Sequence, residues 1–361
     1  MKPSIRLFLN AALLTGISAS FPAPARASNV NADESLIFFP TLAYRSDDDG
    51  LWVARVQGWI FEAEADSRWR NASWAMFRRF LGLTPDQAET LLFQQRARPF
   101  LVDNERGKRV SIRIGASIYE LEPSTADGHF VGQVRLDPRD VSRLARGGWL
   151  RYTAVTDPRD ERVFTGEVQL LDATGVSVIS DIDDTIKVSE VTNRKKLVEN
   201  TFLLPFREVT GMAELYRGWS SHGVAFHFVS ASPWQLYESL ADFARDAGFP
   251  EATYHLRRTR LKDSSVWSLL ADPLEAKLQV IESLMATYPH RRFILVGDSG
   301  ERDPEVYGKL AEKRPEQVVR IYLRDVTGQA ADSPRYRAAF GDLPADKWQV
   351  FQEPSTIRSP F

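Results

Sequence analysis

The chain has 361 residues, 43% hydrophobic and 26% charged, enough length and apolar content for two domains with separate cores. Its 46 Lys and Arg against 48 Asp and Glu give a net charge of −2, so bulk charge argues against a nucleic-acid partner. With no cysteine there is neither a disulfide nor a thiol for lipid attachment.

In chain order, residues 1–27 read as a secretory signal peptide. Lys2 and Arg6 form the basic start, 7–19 the apolar stretch, and Ala25-Arg-Ala27 a small-x-small signal with cleavage expected after Ala27. Interrupted by Asn10 and Thr15, the apolar stretch is too short to span a bilayer. The expectation is an exported protein, periplasmic or secreted.

Residues 28–172 read as a β-rich, sandwich-like domain with a helical insertion. Strand-like runs fall at 52–61, 110–114, 129–136, 150–155 and 163–171, with helical patterns at 67–80 and 84–95. Thr84-Pro85-Asp86-Gln87 has the form of a helix start, with a capping Thr, Pro at the first position and Gln three residues after the cap. Asp47-Asp-Asp-Gly50 has calcium-binding residue types, but an Asp-rich turn is the simpler reading.

From Gly175 the rhythm changes to alternating strand and helix, with apolar strands near 176, 224, 253, 293 and 318. This α/β pattern predicts a parallel sheet covered on both faces, occupying 173–327. Residues 328–361, polar and Pro-containing, are expected to wrap the surface as a C-terminal extension.

Three of these strands end in chemistry. The apolar run from Val176 delivers Asp181 and Asp183 to its carboxyl end, both pointing one way while Ile182 turns toward the core. Carboxylates so close repel each other unless a cation neutralises them, and hard divalent ions such as Mg2+ favour such oxygen sites. The strand from Val224 ends in Ser230, whose hydroxyl can bond a phosphate oxygen. The strand from Phe293 ends in Gly297-Asp298, with Asp303 five residues on. Lys277, on a helix expected to begin near 273, can offset phosphoryl charge.

In this order the segments Asp181-Ile-Asp183-Asp-Thr185, Ser230, Lys277 and Gly297-Asp298 through Asp303 resemble the haloacid dehalogenase superfamily of phosphohydrolases. Over roughly 172–327 the longer blocks around them resemble the catalytic domain of the actin-patch-protein type of phosphatidate phosphatase. The resemblance implies a haloacid-dehalogenase-like Rossmannoid sheet and Mg2+-dependent removal of phosphate from phosphatidate and related lipid phosphates. Asp181 would be nucleophile and metal ligand. Asp183 would be acid and base, its backbone carbonyl also binding the metal. Asp298 would be a ligand, and Asp303 a ligand or its support. Ser230 and Lys277 would bind phosphoryl oxygens, with Thr185 bracing the turn. The export signal departs from the eukaryotic members and leaves the physiological substrate open.

Recognition is less sharply written. The 187–223 insertion has the length of a crossover helix and a small lid, which would leave room for bulky headgroups. Thr201-Phe-Leu-Leu-Pro-Phe206 can touch acyl chains or a bilayer, or simply pack the lid, and core packing is favoured. The basic run from His255 to Lys262 suits an anionic headgroup or membrane surface as well as a solvated loop. His227, inside an apolar strand, reads as a hydrogen-bonded core histidine, and Trp234 and Tyr237 as packing residues beside the site. Two alternatives stay open: a phosphatase for soluble esters or phosphoproteins, and a non-catalytic envelope binding module.

Overall fold

The computed structural model describes residues 19–20, 27–62, 67–258 and 274–361. The expected leader falls mostly outside them, but Ala19–Ser20 (β1) lies parallel to a strand of the β-rich region, within the segment expected to stand outside the fold. That region contains β2 Glu34–Phe39, β3 Thr41–Arg45, β4 Trp52–Glu62, β5 Asp103–Asn104, β6 Ser111–Ile114, β7 Ser117–Glu120, β8 His129–Leu136, β9 Trp149–Ala154 and β10 Thr165–Leu170. With β1 they join in one mixed, largely antiparallel sheet around the long β4. Pro40, which cannot donate a backbone hydrogen bond, separates β2 and β3, which pair with opposite ends of β4. The helical insertion consists of α1 Ser67–Leu81, α2 Pro85–Ala88 and α3 Leu91–Ala97, and α4 Pro138–Leu144 follows β8. Thr84 and Gln87 form the expected reciprocal capping box.

The second region alternates strand and helix: β11 Val176–Ser180, α5 Arg194–Val198, α6 Met212–Ser220, β12 Ala225–Pro233, α7 Tyr237–Asp246, β13 Ala252–Arg257, α8 Leu274–Thr287, β14 Arg292–Asp298, α9 Asp303–Lys313 and β15 Val318–Arg324. All strand pairs here are parallel, in the order β13-β12-β11-β14-β15, with a sixth strand, β16 Trp348–Phe351, beside β15. Alternation sends Val178, Phe226, Phe228 and Val296 to one face, packed with Met212 and Tyr216 of α6. Ile179, Val229 and Leu295 face the other way, packed with Ile281 of α8 and Leu310 of α9. Both faces are therefore covered, which is why these strands are apolar throughout rather than alternating.

The C-terminal residues do more than wrap the surface. α10 Pro334–Phe340 buries Tyr336 and Phe340, and β16 extends the sheet. Four residues between the turn-forming Pro344 and Pro354 are too short a run to announce a strand.

The β-rich region keeps a core of its own around Val56, Ile112 and Phe130, and a second cluster is shared between the two regions. Phe39, Trp59, Phe77, Phe93 and Phe100 pack with Phe202, Trp234 and Phe226 of the second region. Phe39 stacks on Trp234 with ring centroids 4.0 Å apart, and the Tyr288 hydroxyl donates to the Ala43 carbonyl at 3.2 Å. No helix among the described residues is long and apolar enough to cross a membrane.

Candidate active site

β11 is central to the site. Its Ser180 pairs with Phe228 of β12 and with Val296 of β14, so Asp181, Ser230 and Asp298 all emerge at the carboxyl edge of the sheet. Ligands bind at this edge in open parallel sheets, because loops leaving the strand ends leave a crevice.

Asp181, Asp298 and Glu301 each offer one carboxylate oxygen, all within 4.8 Å of one another. Lys277 reaches in from α8, donating to Asp181 Oδ1 at 2.9 Å, to Glu301 at 3.3 Å, and to Asp303. Burial is the largest cause pushing the Asp181 carboxyl well above the ordinary range. Lys277 opposes this, and repulsion from Asp303, Asp298 and Asp183 adds to it. Burial, with repulsion from Asp303, also pushes Asp298 up to about 8. Asp181 Oδ2 and Asp298 Oδ2 are buried with no hydrogen-bond partner among the described residues. Orphaned hard oxygens beside a third carboxylate fit a divalent cation such as Mg2+ or Ca2+.

Asp183 sits in opposite surroundings. Burial alone would raise its pKa, but Lys187 at 2.8 Å and hydrogen bonds from Ser189 at 2.7 Å and Ser232 at 2.8 Å hold it down to about 2. Ser230 adds a further bond at 3.2 Å. The next residue, Asp184, adopts a left-handed backbone with φ of 53°. Its carboxylate accepts the backbone N–H groups of Ser189, Glu190 and Val191 at 2.7–2.9 Å, which fixes the loop carrying Ser189 against Asp183.

The structure brings Asp181, Asp183, Ser230, Lys277, Asp298 and Asp303 together. Two details sharpen the expectation. The Thr185 hydroxyl is buried with no partner among the described residues; its backbone N–H donates to the Ile182 carbonyl at 3.3 Å, and the Asp184 carboxylate adds the side-chain bracing. Asp303, expected as a ligand or its support, accepts from the Asp298 backbone N–H at 3.1 Å through Oδ2 and from Lys277 through Oδ1, so it supports the cluster, while Glu301, which also accepts from Lys277, is the third carboxylate near Asp181 and Asp298. Gly297 permits this: a Cβ there would lie 2.1 Å from Asp303 Oδ2. Sequence reasoning missed Glu301, Lys187, Ser189 and Ser232. Lys187 carried the one usable signal, its spacing of four residues from Asp183 within the motif.

His227 is fully buried and bonded to Thr253 and Ser177, as expected of a core histidine. Trp234 and Tyr237 pack on Phe39. Phe202 is core, whereas Leu204 and Pro205 are exposed. Asp47 to Gly50 forms a turn, with Asp49 paired to Arg135. Of the basic run, 259–262 lies outside the described residues.

A cleft of about 540 Å³, counting its solvent-open mouth, has Asp183, Ser232 and Glu301 in its lining. A wider opening of about 1230 Å³, lined by Arg113, Arg151, Glu167 and Tyr237 among others, contains none of the clustered carboxylates.

Residues 176–325 match the family described as phosphatidate phosphatase APP1, catalytic domain. Phosphatidate phosphatase APP1 of Saccharomyces cerevisiae is 33% identical over 168 residues, covering 45% of this chain and 28% of that protein. An uncharacterized protein of Schizosaccharomyces pombe is 33% identical over 170 residues, covering 46% of this chain and 27% of that protein. The chain thus covers less than a third of the length of these relatives, and the family match leaves out the β-rich region.

Proposed function

We propose, taking residues 176–325 as a catalytic domain of the phosphatidate phosphatase APP1 type, that the protein is a phosphoric monoester hydrolase acting on phosphatidate or related lipid phosphates through an aspartyl-phosphate. The observation that carries this reading is Asp181: a buried carboxylate at the end of the central strand, one oxygen held by Lys277 and the other with no hydrogen-bond partner among the described residues.

An oxygen of ionised Asp181 attacks phosphorus, the bond to the ester oxygen breaks as that oxygen takes a proton from Asp183, and the phosphoryl group passes to Asp181. Lys277 holds Asp181 in place and, with the Ser230 hydroxyl turned from Asp183 to the substrate, bonds the phosphoryl oxygens. Asp183 is ionised at rest, which suits it to take the proton of the water that then opens the aspartyl-phosphate. For the first half-reaction its proton comes with a phosphate monoanion, since the second ionisation of a phosphate ester lies at about 6. Mg2+, held by Asp181 and Asp298 with Glu301 or Asp303 beside them, would supply positive charge against the phosphoryl oxygens.

Rapid acid quenching during turnover, followed by peptide mass spectrometry, should find one phosphoryl group on the peptide containing Asp181. A phosphopeptide elsewhere, or none during steady turnover, would remove the covalent route. Turnover of soluble esters at the expense of lipid would keep the mechanism and change the substrate. Export is likewise our proposal: N-terminal sequencing of the protein recovered from its cells should begin at Ser28.

A further inference from the structure

The cleft above the carboxylates is not built by the matched domain alone. One wall is Val191, Leu197, Phe202 and Leu236, within 176–325; the other is Leu81 at the end of α1 and Phe100, both from the helical insertion of the β-rich region. Phe100 stacks on Phe77 at 5.3 Å and lies 5.8 Å from Phe202, so the two walls share one aromatic cluster. Arg96 of α3 ties them further, donating to the Thr201 carbonyl at 2.9 Å and the Leu204 carbonyl at 2.7 Å. The charged residues that line the cleft among the described residues, Asp183 and Glu301, belong to the carboxylate cluster, which we take as its floor.

We infer that the insertion 67–100 is the specificity element of this site: Leu81 and Phe100 seat the aliphatic chain of the leaving group. The inference rests on the phosphatase reading above, because it takes the phosphoryl group to sit at the Asp181 end of the cleft. A chain attached to the departing oxygen must then leave between these walls. They offer it apolar surface, and among the described residues no cation for a second anionic group lines them. Free phosphate or a short polar ester would use the floor and leave the walls in water. Selection for an apolar leaving group therefore draws on a segment outside the catalytic-domain match as well as on the match itself.

The test is the binding of butyl-, hexyl- and octylphosphonate to the full-length protein with Mg2+, by calorimetry below the micelle threshold of each probe. Affinity should rise about two- to fourfold per added methylene, the range from partial to full burial of a CH2 group. In Leu81→Asn and Phe100→Ala that gradient should flatten to below roughly 1.5-fold per methylene. Leu81 is only half-buried, so its variant tests the wall even if removing Phe100 disturbs folding, which circular dichroism would show. A wild-type protein with no chain-length gradient would overturn the inference, as would a gradient retained by the folded variants. Phosphate release from the matching alkyl phosphates reads the enzyme separately: a binding gradient without any release leaves the cleft assignment standing and removes the phosphatase.

Discussion

Asp181 and Asp183 stand two residues apart and face opposite electrostatic surroundings, one pushed well above the ordinary carboxylate range and the other held at about 2. The shift at Asp181 holds without a cation; positive charge beside it would return the carboxyl to the ionised form that a nucleophile needs, while Asp183 stays ionised and ready to accept a proton. Lys187 maintains half of this contrast. Its replacement by Met should cost about 3–5 kcal/mol, because a buried charge loses its only close cation among the described residues. Denaturant unfolding measures this, and a loss below about 1 kcal/mol would show that the serine hydroxyls suffice for Asp183. Gly297→Ala should cost about 1–3 kcal/mol and move Asp303 away from Asp298, since the new methyl would occupy the carboxylate's place. Unchanged unfolding in that variant would contradict the close approach. The aspartates were legible because strand-end carboxylates at fixed spacing admit few structural explanations. Ser232 and Glu301 were not, since a bulge in β12 and the turn after β14 decide where their side chains point.

At the scale of elements, the strands of the parallel sheet were legible because both of their faces are buried, which makes each a continuous apolar run. The helix start at Thr84 was legible from its capping residues. The segment after Val198 was not. There α5 continues into a π-helical turn, Glu199–Leu203, whose Thr201 carbonyl, with that of Leu204 just after it, accepts from Arg96 in another part of the chain. A partner 105 residues away leaves no local sequence trace. Arg96 also lies over the Phe206 ring at 3.5 Å, and burial lowers its pKa to about 10. Arg96→Met should destabilise the protein by about 1–3 kcal/mol through the unsatisfied Thr201 and Leu204 carbonyls. The same change should speed amide exchange at 199–204 more than in the sheet. Equal exchange in both would mean that the turn holds itself without α3.

For the whole molecule, the carboxylate cluster sets how stability depends on pH. Without a cation, Asp298 binds a proton up to about 8 in the folded state but only to about 3.9 in the unfolded chain. The folded protein therefore carries more protons across that window, and its stability falls as pH rises through it. Asp183 works the other way: its contribution is complete above about 3.9 and is lost as pH falls toward about 2. Each kcal/mol lost lowers Tm by about 2–4 °C in a domain of this size. Mg2+ competes with those protons, so the rise in Tm on adding it should be larger at pH 8 than at pH 5, and equal rises would place the ion elsewhere. The central claim, that this cluster removes phosphate from a lipid, is tested most directly by phosphate release from phosphatidate-containing micelles. The wild-type protein should be compared with Mg2+ and with chelator, beside Asp181→Asn. The expected result is metal-dependent release that falls by at least about a thousandfold in the variant, as loss of a nucleophile does elsewhere, with its folding intact. Release that survives in Asp181→Asn, or none from phosphatidate under any condition, would contradict it.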